Sequence, residues 1–282
     1  MKKKSTNQNS GLWTASYGEI GATLKALQDH GVTLEHLARL RAEPNYAERV
    51  AEYMLHGGVK TSTHHKLAHT IMGKNFFGIE DWVALLFKTS SQKQFRGVPD
   101  FPWSEEILTS TCPLCVNIVK DCHFAFLGFD RINGEPLTIL KLQELHPAAG
   151  RPRFSSYYSQ HDSHYSGKKF ITETAMDFRW YLLHMDIVPG SENKTFEEQE
   201  AMLPAEYEVP FLVTEIAKDL FAFQETRAYA ISARYKRCAD IYLGCRVIAR
   251  YCDASDLDFL DIFSDSFRRD NIYVAASRKP GI

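Results

Sequence analysis

From Arg237 to Arg278 the chain contains no Lys, Glu, Gln, Met or Trp. Lys236 stands immediately before this stretch and Lys279 immediately after it. Upstream, the same five types make up roughly a fifth of the residues, an ordinary globular usage, so about nine would be expected here. A rule about burial does not explain the gap, because Asp and Arg are abundant and Met is missing. A rule about charge does not explain it either, because Asp is kept and Glu is lost.

Other shortages narrow the class of protein. Six Cys in 282 residues are too few for a disulfide scaffold. The net charge of −2 gives no electrostatic reason to expect nucleic acid or an anionic membrane surface as a partner. No apolar run approaches a bilayer span, so no membrane insertion is expected. Met1 to Ser10 is Lys-rich and polar and reads as a disordered tail. No apolar h-region follows it, so no secretory leader is expected, and the expected compartment is the cytoplasm unless another route exports the protein. A chain of this length buries a core without staples, as one large domain or two modest ones. A monomer is expected.

A codon rule does explain the gap. If Asn codons ending in a pyrimidine have only their adenines randomised, Lys, Glu, Gln, Met and Trp cannot be reached, and every residue type present in the stretch can. That pattern resembles the product of a diversity-generating retroelement. The closing run Asp270-Asn271-Ile272-Tyr273-Val274-Ala275-Ala276-Ser277-Arg278-Lys279 resembles the end of the variable proteins of such elements, as does Arg246-Val247 followed by Asp253-Ala254-Ser255-Asp256-Leu257. Asp256 and Tyr273 stand where that family carries Gly, and Phe263 where it carries Trp. The resemblance covers about the last forty residues. It implies an α+β chain with a C-type-lectin-like C-terminal domain over 119–282, preceded by a helical region over 11–118. It also implies a binding protein without catalytic activity, whose ligand is a protein or another macromolecule. The implied ligand surface is Ile248, Arg250, Tyr251, Asp256, Asp258, Phe259, Leu260, Asp261, Ile262, Phe263, Ser264, Ser266, Phe267, Arg268, Arg269 and Tyr273. Val247, Leu257, Ile272, Val274 and Ala276 have the spacing of inward-facing strand residues.

Along the chain, helices are expected at Ile20–His30, after the N-cap Thr33, and from Pro44 until Gly57-Gly58 stops it. This segment has no basic face dense enough to track phosphates. His65 and His69 would share a helix face at i, i+4, which makes half of a metal site, but the plainer reading is polar helix surface. Gly97 to Trp103 is irregular, and Ser104 starts another helix. Cys112-Pro113-Leu114-Cys115 with Cys122-His123 is the best zinc candidate, since two Cys at this spacing make half a tetrahedral site. Cys122-His123 opens a strand, however, and adjacent strand residues point to opposite faces, so reduced structural cysteines are the favoured reading and zinc the alternative. Tyr157 to Gly167, with its His161-Asp162-Ser163 adjacency, reads as a solvated loop. Strands follow from Cys122, including one across Arg179–Val188. Thr195 caps a short helix with Glu198 in the capping-box position. Pro210 opens a helix whose apolar stripe is Leu212, Ile216, Leu220 and Phe223, with Glu215, Lys218 and Glu225 outside. Tyr229 to Tyr235 alternates as a strand. Cys238, Cys245 and Cys252 invite a formylglycine-generating type of enzyme chemistry, yet their equal spacing does not bring them to one face. A zinc-containing interaction module is the other alternative.

Overall fold

The computed structural model describes residues 15–56, 61–86, 97–145, 153–154, 169–226, 235–251, 256–263 and 268–281. They form two compact units, Met1–Gly58 and Val59–Ile282. The helices between 61 and 118, grouped by the sequence reading with the N-terminal region, belong to the second unit.

The first unit holds three helices, α1 (Tyr17–Asp29), α2 (Leu34–Ala42) and α3 (Pro44–His56). Each starts where the sequence places a start signal. Ser16 and Glu19 form a capping box on α1, and Thr33 forms one with His36 on α2. The apolar stripe of α1 stays in part exposed, with Ile20 and Leu24 both at 43%.

The second unit is built on two five-stranded sheets. Its early elements are α4 (Thr63–Met72), β1 (Phe76–Phe77), α5 (Ile79–Leu86), α6 (Glu105–Thr109), α7 (Val119–Cys122) and β2 (His123–Leu127). A small hairpin follows, β3 (Arg131–Ile132) with β4 (Glu135–Pro136), and then α8 (Ile139–Leu145), β5 (Arg153–Phe154) and α9 (Lys169–Thr172). Next come β6 (Trp180–His184), α10 (Phe196–Ala201), β7 (Tyr207–Glu208) and α11 (Leu212–Thr226). The chain closes with β8 (Tyr235–Tyr242), β9 (Cys245–Tyr251), β10 (Asp256–Phe263), β11 (Ile272–Val274) and β12 (Ser277–Arg278). The architecture is thus mixed α and β, as expected. No helix among the described residues is long and apolar enough to cross a membrane.

The first sheet has the order β1-β2-β6-β12-β7, and the second β11-β8-β9-β10-β5. The chain passes from the second sheet to the first through Ala275 and Ala276, both almost fully buried. There the Ala275 N–H donates to Arg237 O at 3.1 Å and the His184 N–H donates to Ala276 O at 2.9 Å. The last strand, β12, lies between β6 and β7, pairing antiparallel with both.

Helix α11 touches strands of both sheets. That double contact corrects the amphipathic reading: Glu215 and Lys218, expected outside, are buried along with every residue from Leu212 to Phe221. A charged pair tolerates such burial only when it is satisfied. Lys218 pairs with Glu215 and, at 3.2 Å, with Asp219, and Lys236 of β8 reaches Glu215 at 2.9 Å. Phe221 stacks on Phe77 with ring centroids 4.2 Å apart, which anchors α11 to the edge of the first sheet.

Two hairpins use the same tight turn. In β3–β4 the loop residues Asn133 and Gly134 have φ of 54° and 88°. In β8–β9 they are Leu243 and Gly244, with φ of 52° and 77°. Two positive φ values in a two-residue loop match the twist of the strands, and Asn-Gly is the sequence that fits this turn best. Leu243 is therefore a costly occupant, and its side chain is 83% exposed.

Candidate functional site

The stretch lacking Lys, Glu, Gln, Met and Trp maps onto the C-terminal strands. It starts at the third residue of β8, takes in β9, β10 and β11, and ends on the last residue of β12. Val247, Ile272, Val274 and Ala276 are buried as their spacing predicts. Ile248, expected on the ligand surface, is buried completely and belongs to the core. Val247, Ile248 and Ala249 are buried in succession, so the middle of β9 is covered on both faces and alternation fails there. Arg268 is exposed, donating to Glu198 Oε1 at 2.7 Å and to Asn193 O at 3.2 Å. Arg269 is exposed and Tyr273 half-buried. The backbones of Arg250, Tyr251 and Asp256 to Phe263 lie in the β9–β10 ladder, which has a register irregularity between Asp258 and Asp261. Ser264, Ser266 and Phe267 lie outside the described residues.

Cys238 and Cys245 sit on β8 and β9, whereas Cys252 lies outside the described residues. Burial pushes the Cys238 thiol well above its ordinary value, so it is no ready nucleophile. The stretch around His161-Asp162-Ser163 and most of the strand expected at Tyr229–Tyr235 also lie outside the described residues.

His65 is not the surface residue its reading suggests. It is buried, with Nε2 3.0 Å from Glu80 Oε2, while His69 stacks on Phe76. The helix turns this face onto the first sheet, and Glu80 at the start of α5 meets the imidazole at Nε2, while Nδ1 is buried without a hydrogen-bond partner.

The four groups that the structure brings together are Cys112, Cys115, Cys122 and His184. Their ligand atoms all lie within 4.8 Å of one another, so the cluster can hold a metal ion. His123, the expected fourth ligand, is displaced by His184, which sits opposite it in the register of β2 and β6. The divergence expected of neighbouring strand residues is not the reason, since Cys122 closes α7 and not a strand; the His123 ring is instead engaged at both nitrogens, with Nδ1 3.2 Å from Cys122 Sγ and Nε2 3.1 Å from the Tyr207 hydroxyl. Cys112 and Cys115 are presented by a tight turn. Cys112 N–H donates to Asn117 O at 2.6 Å and Val116 N–H to Cys112 O at 3.0 Å, and Thr111 bridges to Ile118. Val116 sits at φ 58°, a strained setting for a β-branched residue.

The electrostatics of the cluster are those of thiols sharing protons. The neighbouring Cys122 thiol holds Cys112 far below the usual thiol range, against burial, with His184 and the Leu114 N–H adding to the effect. Cys122 is correspondingly pushed up by Cys112 and by burial. Burial, then His184, lowers His123 to about 3, so its imidazole is neutral. Burial and the nearby Cys112 raise the Tyr207 phenol.

Comparison with protein-family models, with curated proteins and with solved structures gives no match for this chain.

Proposed function

We propose that this chain is a ligand-binding protein whose second unit is a C-type-lectin-like scaffold, with a C-terminal sheet diversified by adenine-directed mutagenesis. The observation that carries the reading is the coincidence of composition with architecture. The stretch lacking Lys, Glu, Gln, Met and Trp runs from the third residue of β8 through β9, β10 and β11 to the last residue of β12. Among its described residues, the buried set from Val247 on is small, namely Val247, Ile248, Ala249, Ile272, Val274, Ala275, Ala276 and Ser277, with Arg237, Cys238 and Asp240 buried at its start, which leaves the exposed positions free to vary over a fixed core. Leu243 supports the same reading. Its turn calls for Asn, and an Asn codon with both adenines rewritten and its pyrimidine kept can encode Leu.

On this reading the ligand is a protein or another macromolecule, met by the β9–β10 strands and the exposed arginines Arg268 and Arg269. Aromatic and Arg side chains suit such a surface because they offer area and hydrogen bonds at modest entropic cost. No catalysis is assigned to it. The cysteine–histidine cluster belongs to the scaffold of the same unit, in the turn after α6, at the end of α7 and at the end of β6. The reading is tested in the gene. The expected finding is a nearby imperfect copy of the segment encoding Arg237 to Arg278, with adenines at the differing positions, an Asn codon at 243, and a reverse transcriptase gene beside it. Purine-ending codons scattered through the segment, with no such copy, would overturn it.

A further inference from the structure

We propose that Cys112, Cys115, Cys122 and His184 bind one structural zinc ion that fastens the first sheet. The donor set is three thiolates and one imidazole, a combination typical of closed zinc sites. A zinc tetrahedron with Zn–S bonds of about 2.3 Å has edges of about 3.8 Å. Ligand atoms already within 4.8 Å of one another need to contract by about 1 Å or less.

The surroundings are those of metal ligands rather than of packed thiols. Each sulfur has an N–H donor within reach. Leu114 N–H donates to Cys112 Sγ at 3.3 Å, Asn117 Nδ2 to Cys115 Sγ at 3.5 Å, and His123 Nδ1 lies 3.2 Å from Cys122 Sγ. The His123 ring is held in that orientation by a hydrogen bond between its Nε2 and the Tyr207 hydroxyl at 3.1 Å. His184 Nδ1 donates to Asp186 O at 3.0 Å, which leaves the Nε2 lone pair as the one available to a metal ion. That Nε2 is buried and meets no hydrogen-bond partner. A buried imidazole nitrogen without a partner is costly, and a metal ion supplies the missing one. The strained Val116 at φ 58° fits as well, since strain persists where the surroundings over-determine it.

Four protein ligands leave no open position, so the site is structural and not catalytic. It ties together the turn after α6, the end of α7 and the end of β6. Through His123 and Tyr207 it also reaches β7, and β6 and β7 are the two strands between which β12 inserts.

The test uses the full chain purified without chelators. About one zinc per chain is expected by elemental analysis, released by thiol modification, with a thermal midpoint that falls on chelation and recovers on adding zinc. Cobalt substituted for zinc should show a tetrahedral spectrum with a thiolate charge-transfer band. Cys115 is the half-exposed ligand, so Cys115→Ser should fold and lose about a third of that band. Cys245→Ser, outside the cluster, should leave metal content and spectrum unchanged. Metal well below one per chain, a Cys112–Cys122 disulfide in the purified protein, or a cobalt spectrum indifferent to Cys115→Ser would each overturn the proposal.

Discussion

At the scale of single residues, Glu215 shows how much a buried charge depends on its partners. Burial would push its carboxyl up, but the Lys218 and Lys236 ammonium groups outweigh burial and hold it at about 2. A carboxylate depressed in the folded state contributes stability that is present above its unfolded value near 4.3 and is lost as pH falls towards about 2. Thermal midpoints should therefore hold down to about pH 4 as far as this group is concerned, and its contribution should fade between there and about pH 2. Lys218→Met leaves Glu215 with one cation fewer in a dry site. A loss of about 3–5 kcal/mol is expected from denaturant midpoints, because breaking a buried pair costs far more than the pair contributes. The pattern of the helix in sequence conceals all this. A charge on the polar side of an amphipathic stripe reads as solvated, and nothing in Leu212 to Thr226 announces that a second sheet covers that side. His184 was hidden for a related reason. Cys112, Cys115 and Cys122 are close in sequence and were legible as the zinc alternative to reduced structural cysteines, whereas the fourth group of the cluster arrives by the register of two strands far apart in the chain. The signal that finds it is the pairing of His123 with His184, not any local spacing.

At the scale of elements, caps and breakers were the legible features. Thr33, Pro44, Ser104 and Thr195 each open a helix where their chemistry requires, because the signal for a helix start is local, whereas the first helix starts at Tyr17, ahead of the expected Ile20. Turns are equally local, and the β8–β9 hairpin is the exception that informs. An L-residue other than Asn or Gly at positive φ costs roughly 1–2 kcal/mol. Leu243→Asn should therefore stabilise the protein by about 1 kcal/mol, seen as a rise in thermal midpoint. The same change at an exposed tip with no steric demand would do nothing. A neutral result would show that the turn relaxes to accommodate Leu.

For the whole molecule, the division at Gly58/Val59 predicts independence. Proteolysis between 57 and 60 is expected to release a fragment beginning near Val59 that keeps its near-ultraviolet circular dichroism. The boundary escaped the sequence reading because helices look alike locally, and only their contacts say which sheet they serve. Truncation after Val274 should behave very differently. It removes β12 from between β6 and β7, and cooperative unfolding is expected to disappear, with amide exchange in β6 rising towards the unprotected rate.

The position of β12 also bears on heredity. A strand that completes the first sheet is encoded at the very end of the segment proposed to be rewritten, so any nonsense codon arising earlier in that segment would delete it. The three nonsense codons all end in purines. Rewriting the adenines of codons that end in pyrimidines can never produce one. Under the proposed rewriting, the arithmetic that would remove Lys, Glu, Gln, Met and Trp would also let every rewritten gene be translated through to the strand on which the scaffold depends.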